Sequence, residues 1–345
     1  MASFLHLSEE ATRKAFRTAL REWFAREQRD LPWRRERTVY RTVVSEFMLQ
    51  QTRVASMLPS YARWMEAFPD FSALAKAPEE VVMKHWEGLG YYNRARNLHR
   101  LSKILATHRG PFPKDLDFWL ALPGIGPYTA SAISSIALGG VATCVDGNVV
   151  RILARLDAEE KTFTNSGEAV QFFRQAAEEL LDKEHPGVYN EALMELGATV
   201  CHRRKPACML CPVRAFCRSG LEGKAEGIPA IGRKKTVRLE HRLAWWVVEG
   251  KVLLRGPGEG RSRLGTLYEI PRWEEIFAEP PPTEGKAPRQ VRHITHHHIT
   301  EYLYQPGAEK KLSDNLGPEF RWVPLSALPE LPFSGPHRRW VERCL

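Results

Sequence analysis

The chain has 345 residues, enough for two domains, and its 43% apolar content supplies folded cores, which excludes wholesale disorder and fibrous repeats. Fifty basic residues against 41 acidic ones leave a formal charge of +9. That balance points to a polyanionic partner, nucleic acid before membrane.

Met1-Ala-Ser-Phe-Leu-His-Leu7 runs straight into Ser8-Glu-Glu, without the basic start or the apolar length of a secretion signal. The expected compartment is the cytoplasm, where thiols stay reduced. Phe16, Leu20, Trp23 and Phe24 sit at helical spacing, and Val43, Phe47, Val54 and Leu58 continue such a pattern after Tyr40. In Ser45-Glu-Phe-Met-Leu-Gln-Gln-Thr52, Glu46 and Gln50 share a helix face; by spacing alone Glu46 is a solvent-facing acid. Breaks at Pro69-Asp70, Ala77-Pro78, Gly110-Pro111 and Pro123-Gly124 separate short helices, so residues 1–220 predict a compact all-α domain.

Phe118 to Val145 carries no charge for 28 residues. Pro123, Gly124, Gly126, Pro127, Gly139 and Gly140 interrupt it, so it reads as buried helix and turns rather than a membrane span. Leu122-Pro-Gly-Ile-Gly-Pro-Tyr-Thr-Ala130 has the shape of a helix-hairpin-helix. Gly124 and Gly126 permit a tight turn, Pro127 opens the next helix, and backbone N–H groups there suit a DNA phosphate. In Val145-Asp-Gly-Asn-Val149, Asp146 is placed to cap the helix through Val150 and Leu153.

Four of the six cysteines fall within 17 residues, as Cys201-x6-Cys208-x2-Cys211-x5-Cys217; Cys144 and Cys344 stand alone. Clustered thiols in a reducing compartment are metal ligands before they are disulfides. A zinc ribbon pairs two Cys-x-x-Cys knuckles, and one is present. Four thiolates on an irregular loop also suit a [4Fe–4S] cluster, though not at ferredoxin spacing. Arg203, Arg204, Lys205, Arg214 and Arg218 surround them without an acid. They form either a solvated rim or a phosphate-binding loop.

Composition shifts to Gly, Lys and Glu from Ser219 to Lys235, which marks a linker over 221–238. Beyond it, residues 239–345 form a smaller α/β domain. Leu243-Ala-Trp-Trp-Val-Val248, Glu249-Gly-Lys251 and Val252-Leu-Leu-Arg255 give a hairpin signature, and Glu301-Tyr-Leu-Tyr304 a further strand.

Ser45–Thr52, Gly88-Leu-Gly-Tyr-Tyr-Asn-Arg-Ala-Arg96, Leu122–Gly126, Val145–Asn148 and the four cysteines occur in that order. Together they resemble the helix-hairpin-helix DNA glycosylases, specifically the MutY-type adenine glycosylases, densely from Leu31 to Cys217 and more weakly beyond. The resemblance implies an α+β multidomain protein that removes adenine mispaired with 8-oxoguanine from double-stranded DNA, as a monomer. It also implies a [4Fe–4S] cluster on Cys201, Cys208, Cys211 and Cys217. Glu46 would protonate the adenine and Asp146 would face the cationic sugar, with Tyr128 and Asn148 in support. Two carboxyls in divergent environments suit such chemistry. Trp33, Arg34 and Glu191 match the adenine pocket, and Gln51 and Tyr91 the residues wedged into the duplex beside a flipped base.

Two positions depart from the pattern. Val150 stands where some relatives carry a lysine able to trap the opened sugar. In Ile294-Thr-His-His-His-Ile299, Thr295 and His296 keep the hydroxyl and imidazole of a run that reads 8-oxoguanine, but Ile294 replaces an aromatic ring. The C-terminal domain resembles a Nudix fold without the acidic Nudix box, so it is expected to bind rather than hydrolyse. Endonuclease III-like lyases share the hairpin, aspartate and cluster, but carry a lysine where this chain has Tyr128 and lack the Glu46-type acid. A silent DNA-damage-binding protein would need neither Glu46 nor Asp146.

Overall fold

The computed structural model describes residues 7–232, 235–257, 267–282, 287–294, 296–312 and 316–345. In chain order, α1 (Glu10–Glu27), α2 (Pro32–Arg35) and α3 (Val39–Leu49) precede α4 (Val54–Ala67), α5 (Phe71–Lys76), α6 (Glu79–His85) and α7 (Asn93–Leu105). There follow α8 (Leu116–Leu120), α9 (Pro127–Ala132), α10 (Gly147–Asp157), α11 (Ser166–Leu180), α12 (Pro186–Thr199) and α13 (Arg218–Leu221). The strands are β1 (Thr162–Phe163), β2 (Ala230–Ile231), β3 (Val237–Ala244), β4 (Val247–Val248), β5 (Lys251–Arg255), β6 (Arg289–Ile294), β7 (His297–Tyr304) and β8 (Phe320–Pro324). Short α14 (Trp273–Ile276) and terminal α15 (Gly335–Cys344) complete the chain. Helices thus dominate the first two thirds, and the three-stranded sheets begin at Val237. Among the described residues no helix is long and apolar enough to cross a membrane.

The chain packs as two units, Met1–Phe47 with Thr107–Arg233, and Met48–Ala106 with Lys234–Leu345. In the first, the apolar stripe of α1 supplies Phe16, Leu20, Trp23 and Phe24 to a core shared with Val149, Ile152 and Leu153 of α10, Phe173 of α11 and Leu193 of α12. The uncharged stretch 118–145 becomes α8, the hairpin turn, α9, a π-helical turn at Ile133–Ala137 and an extended run. Arg155 donates to the Ile228 carbonyl at 3.0 Å and β2 pairs in parallel with β1, so residues 228–231 are packed onto this unit.

In the second unit, α4 to α7 bury Trp64, Trp86, Leu74 and Leu98, with the two indoles edge to face at 5.4 Å. Asp70 caps α5 by accepting the Ala73 N–H at 2.7 Å. The apolar pattern across Val43–Leu58 is divided between α3 and α4, because the chain turns at Gln51 with φ +58°. The strands form two three-stranded sheets, ordered β3-β7-β6 and β4-β5-β8. The expected hairpin is there, with Val248 opposite Lys251, but Trp245 and Trp246 divide the Leu243–Val248 run between the two sheets. On β5 the alternation separates Val252 and Leu254, which pack with Trp340 of α15, from Leu253, which packs with Trp273 of α14. Glu301 lies fully buried on β7, held by Arg292 at 2.7 Å and Gln290 at 2.6 Å.

Candidate active site

Asp146 sits at the start of α10. Its Oδ1 accepts the backbone N–H groups of Asn148 at 2.9 Å and Val149 at 2.8 Å, the expected helix cap, and its Oδ2 accepts the Asn148 side-chain amide at 3.0 Å. Burial raises the Asp146 pKa, and these donors pull it back toward the anion. Asn148 is itself fixed, since its Oδ1 accepts from Arg151 at 3.0 Å. Arg151 also donates to the carbonyls of Gly197 at 2.8 Å and Cys201 at 2.8 Å. A Cβ at position 197 would come within 2.7 Å of the Asn148 Cβ, so Gly197 is what lets α12 approach α10 here.

Glu46 is not solvent-facing. It is 8% exposed, because both sides of its helix are covered; Val43, Val44 and Phe47 are also buried. Burial pushes its carboxyl up to about 7, Asp146 and Glu191 add like-charge repulsion, and the neighbouring Tyr128 hydroxyl, which donates to the Met194 sulfur at 3.4 Å, opposes the rise. A buried acid near pH 7 is poised to donate a proton. Tyr128 is held well above its ordinary pKa by burial and by Glu46 and Asp146, so it stays a neutral phenol. Glu46, Tyr128, Asp146 and Asn148 therefore form one electrostatic group.

Glu191 and Glu195, one turn apart on α12, face the arginines around α2. Arg34 donates to Glu191 at 3.2 Å and to Glu195 at 2.9 Å, and Arg37 to Glu191 at 2.9 Å. Arg29 grips both oxygens of Glu195 at 2.7 and 2.8 Å, and the arginine bonds hold that carboxyl down at about 2 against its burial. Trp33, 9% exposed, precedes Arg34 in α2. Arg34 and Glu191 are thus joined, and Glu191 reaches Glu46 through its charge.

Cys201, Cys208, Cys211 and Cys217 line one small cavity with Arg155 and Arg214. Among the described residues only Asp182, Glu184 and His185 bring three candidate ligand atoms within 4.8 Å of one another. Four sulfurs around one tetrahedral zinc would stand about 3.8 Å apart, from bonds of about 2.3 Å. Either a single ion or a cluster would draw on these four thiols. Burial pushes the Cys211 and Cys217 thiols up to about 12 and about 11, with the neighbouring thiols adding to the rise. A bound cation would reverse that rise, since the thiolate is the form that ligates metal.

At the hairpin, Gly124 takes φ +79°, and Gly126 is the N-cap of α9, whose first residue is Pro127. A Cβ on Gly126 would meet nothing within 4 Å, so the face of the turn is open. In the second unit, Gln51 at φ +58° and Tyr91 at φ +48° are exposed residues in left-handed conformations that only glycine adopts freely. Ile294 pairs with His297 at the β6–β7 turn, where His296 is half-buried; Thr295 lies outside the described residues.

Arg151, Glu195 and Gly197 escape a reading of spacing. The available signal was Arg151 three residues after Asn148 and Arg155 four further on, two charges on the buried side of a helix whose cap is Asp146.

Residues 44–178 match the family described as HhH-GPD superfamily base excision DNA repair protein. The adenine DNA glycosylase of Rattus norvegicus is 43% identical over 59% of this chain and 42% of its own length. That of Buchnera aphidicola subsp. Acyrthosiphon pisum is 32% identical over 78% of this chain and 75% of its own. A thermostable thymine-DNA glycosylase structure superimposes with a TM-score of 0.52, at 26% identity, over 61% of this chain and 97% of that one. This chain spans less than half the length of the mammalian relatives it matches. The hairpin opening α9, the α3 and α10 carboxyls around Tyr128, and a relative matched over three quarters of its length together place the chain: it belongs to the adenine DNA glycosylase family of the HhH-GPD superfamily.

Proposed function

We propose that the chain is a monofunctional adenine DNA glycosylase, which hydrolyses the N-glycosidic bond of adenine opposite 8-oxoguanine or guanine in duplex DNA. The observation that carries this reading is Glu46, held near pH 7 by burial beside Asp146, whose three N–H donors favour its anion. Glu46 gives its proton to a ring nitrogen of the flipped adenine. The C1′–N bond breaks and its electron pair leaves with the base. Asp146, positioned by Asn148, faces the oxocarbenium-like sugar, and that attraction grows as the cation forms. Water adds at C1′ and gives its proton to the Glu46 carboxylate, which restores the acid and leaves an abasic site. Tyr128 orients the acid. It offers no amine for a Schiff base, and Val150 offers none either, so the strand stays intact.

Trp33, Arg34 and Glu191 form the adenine pocket. Gln51 and Tyr91 fill the gap in the duplex, and the open N–H groups at Gly124 and Gly126 hold a phosphate. Cys201, Cys208, Cys211 and Cys217 hold a [4Fe–4S] cluster, which when bound cross-links the loop that carries Arg203 and Arg204. Residues 1–220 carry the chemistry. Residues 239–345, beyond the 221–238 linker, read the opposite base with Thr295 and His296. The protein works as a single copy on DNA in the cytoplasm.

The test is base release from duplexes holding A opposite 8-oxoguanine, A opposite G and T opposite G. Adenine should leave the first fastest, then the second. Thymine release, or efficient borohydride trapping of protein on the product, would overturn the reading.

A further inference from the structure

The segment Glu87–Tyr92 presents Tyr91 in an unusual way. Gly88, Gly90 and Tyr91 take φ of +90°, +67° and +48°, so a bulky residue stands in the left-handed region with its side chain 42% exposed. Such a conformation persists only where its surroundings hold it. Both flanks of the segment are held by one stretch of the C-terminal domain. On one side, Arg338 of α15 forks onto the Glu87 carboxylate, Nε to Oε1 at 2.5 Å and Nη2 to Oε2 at 3.2 Å, with each side chain 15% exposed. On the other, the buried Tyr92 hydroxyl donates to the Phe333 carbonyl at 2.7 Å.

Neither partner is a loose surface group. Arg338 also donates to the Leu331 carbonyl at 2.5 Å and lies over the Phe333 ring at 4.9 Å. Phe333 is fully buried in the core that contains Trp340 and Leu243. The segment's inner side is fastened by Arg94, which donates to the carbonyls of Leu89 at 2.8 Å and Gly90 at 3.1 Å, and also to those of Met48 at 2.9 Å and Gln50 at 2.5 Å.

We infer that the C-terminal domain sets the duplex-entering posture of Tyr91, with Arg338 and Tyr92 as positioning residues that act through Glu87 and the Phe333 carbonyl. The inference rests on the reading that Tyr91 enters the duplex. It gives the domain a task separate from reading the opposite base: it stiffens the wedge. Tyr92 is 2% exposed, and Arg338 spends its donors on Glu87 and on backbone carbonyls.

The experiment uses the full chain and a duplex with A opposite 8-oxoguanine, carrying 2-aminopurine beside the lesion to report unstacking. Wild type, Tyr92→Phe, Arg338→Gln, Tyr91→Ala and the double variant Tyr91→Ala/Tyr92→Phe are compared, with thermal melts to check folding. Tyr92→Phe keeps the ring and loses one buried hydrogen bond, so its single-turnover base release at saturating enzyme should fall about threefold to tenfold. The 2-aminopurine signal should fall with it, while affinity for undamaged duplex stays within about twofold. Arg338→Gln should behave alike. The double variant should be no worse than Tyr91→Ala, because the latch acts only through that ring. A merely structural role would instead add its loss to that of Tyr91→Ala, and this additivity would overturn the proposal. Tyr92→Phe and Arg338→Gln both matching wild type while Tyr91→Ala loses the signal would overturn the latch alone. Tyr91→Ala matching wild type would overturn the wedge reading, and the latch with it.

Discussion

Arg151 stands between Asn148 and Cys201, donating to the Asn148 side-chain oxygen at 3.0 Å and to the Cys201 carbonyl at 2.8 Å. Asn148 passes the constraint on, giving its amide to Asp146 at 3.0 Å. The backbone of the thiol loop and the carboxylate that caps α10 are therefore joined through two side chains.

Arg151→Met should lower single-turnover adenine release by about tenfold, the cost of one to two kcal/mol when Asn148, Gly197 and Cys201 lose their donor. Duplex affinity should change little. The check is a rate at saturating enzyme beside a binding isotherm. A variant that loses affinity and keeps its rate would make Arg151 a phosphate contact instead.

Glu46 gives a prediction with a sign. Its folded pKa of about 7 lies above its unfolded value near 4.5, so the folded protein favours the protonated acid. Stability from this site is complete below about pH 4.5 and is lost as pH rises through 7. Glu46→Gln should thus raise the melting temperature relative to wild type at pH 8 and gain least near pH 4.5, a difference on the order of 3 kcal/mol. Base release should disappear in the same variant while duplex binding persists, and wild-type activity should fall as pH rises through 7. Melting curves at pH 4.5 and 8, with rates across the same range, decide it.

Much of this site was legible as residues and little of it as geometry. The stripe Phe16, Leu20, Trp23 and Phe24 announces a helix with one buried side, and α1 buries all four. Glu46 defeats that reasoning, because a four-residue interval to Gln50 marks a face without saying whether another helix covers it. The ion pairs of Arg34 with Glu191 and of Glu87 with Arg338 span 157 and 251 residues, beyond any local pattern. For the same reason no periodicity marks residues 48–106 as packing with 234–345. On the strands the apolar run Leu243–Val248 is plain, but the switch between sheets at Trp245-Trp246 is set by what packs on each side.

The thiol loop predicts a brown protein. Purified without air, it should absorb broadly near 400 nm and carry about four irons per chain with little zinc. Cys208→Ser should lower iron content and leave the loop open to protease between Cys201 and Cys217. Stoichiometric zinc would mean that the four sulfurs close around one ion.

Reading the opposite base is the last test, and it must be separated from holding the wedge. Distinguishing 8-oxoguanine from guanine means sensing an added N7–H and a changed O8, a pattern that suits a hydroxyl and an imidazole. Thr295 and His296 supply both, and Ile294 offers no ring to stack. Losing one such contact costs at least about 1 kcal/mol, so Thr295→Ala should lower the ratio of release opposite 8-oxoguanine to release opposite G by about fivefold, a smaller part of the loss that deletion of the domain gives. His296→Ala should do the same. In both, release opposite G should hold, because nothing at Glu87 or Tyr92 has changed. Deleting residues 239–345 is a harsher change, since it removes Arg338 and the Phe333 carbonyl as well. That deletion should lower the ratio by one to two decades and also slow release opposite G. If Thr295→Ala and His296→Ala leave the ratio untouched while the deletion slows both substrates equally, the domain holds Tyr91 and reads nothing, and discrimination falls to Gln51 and Tyr91.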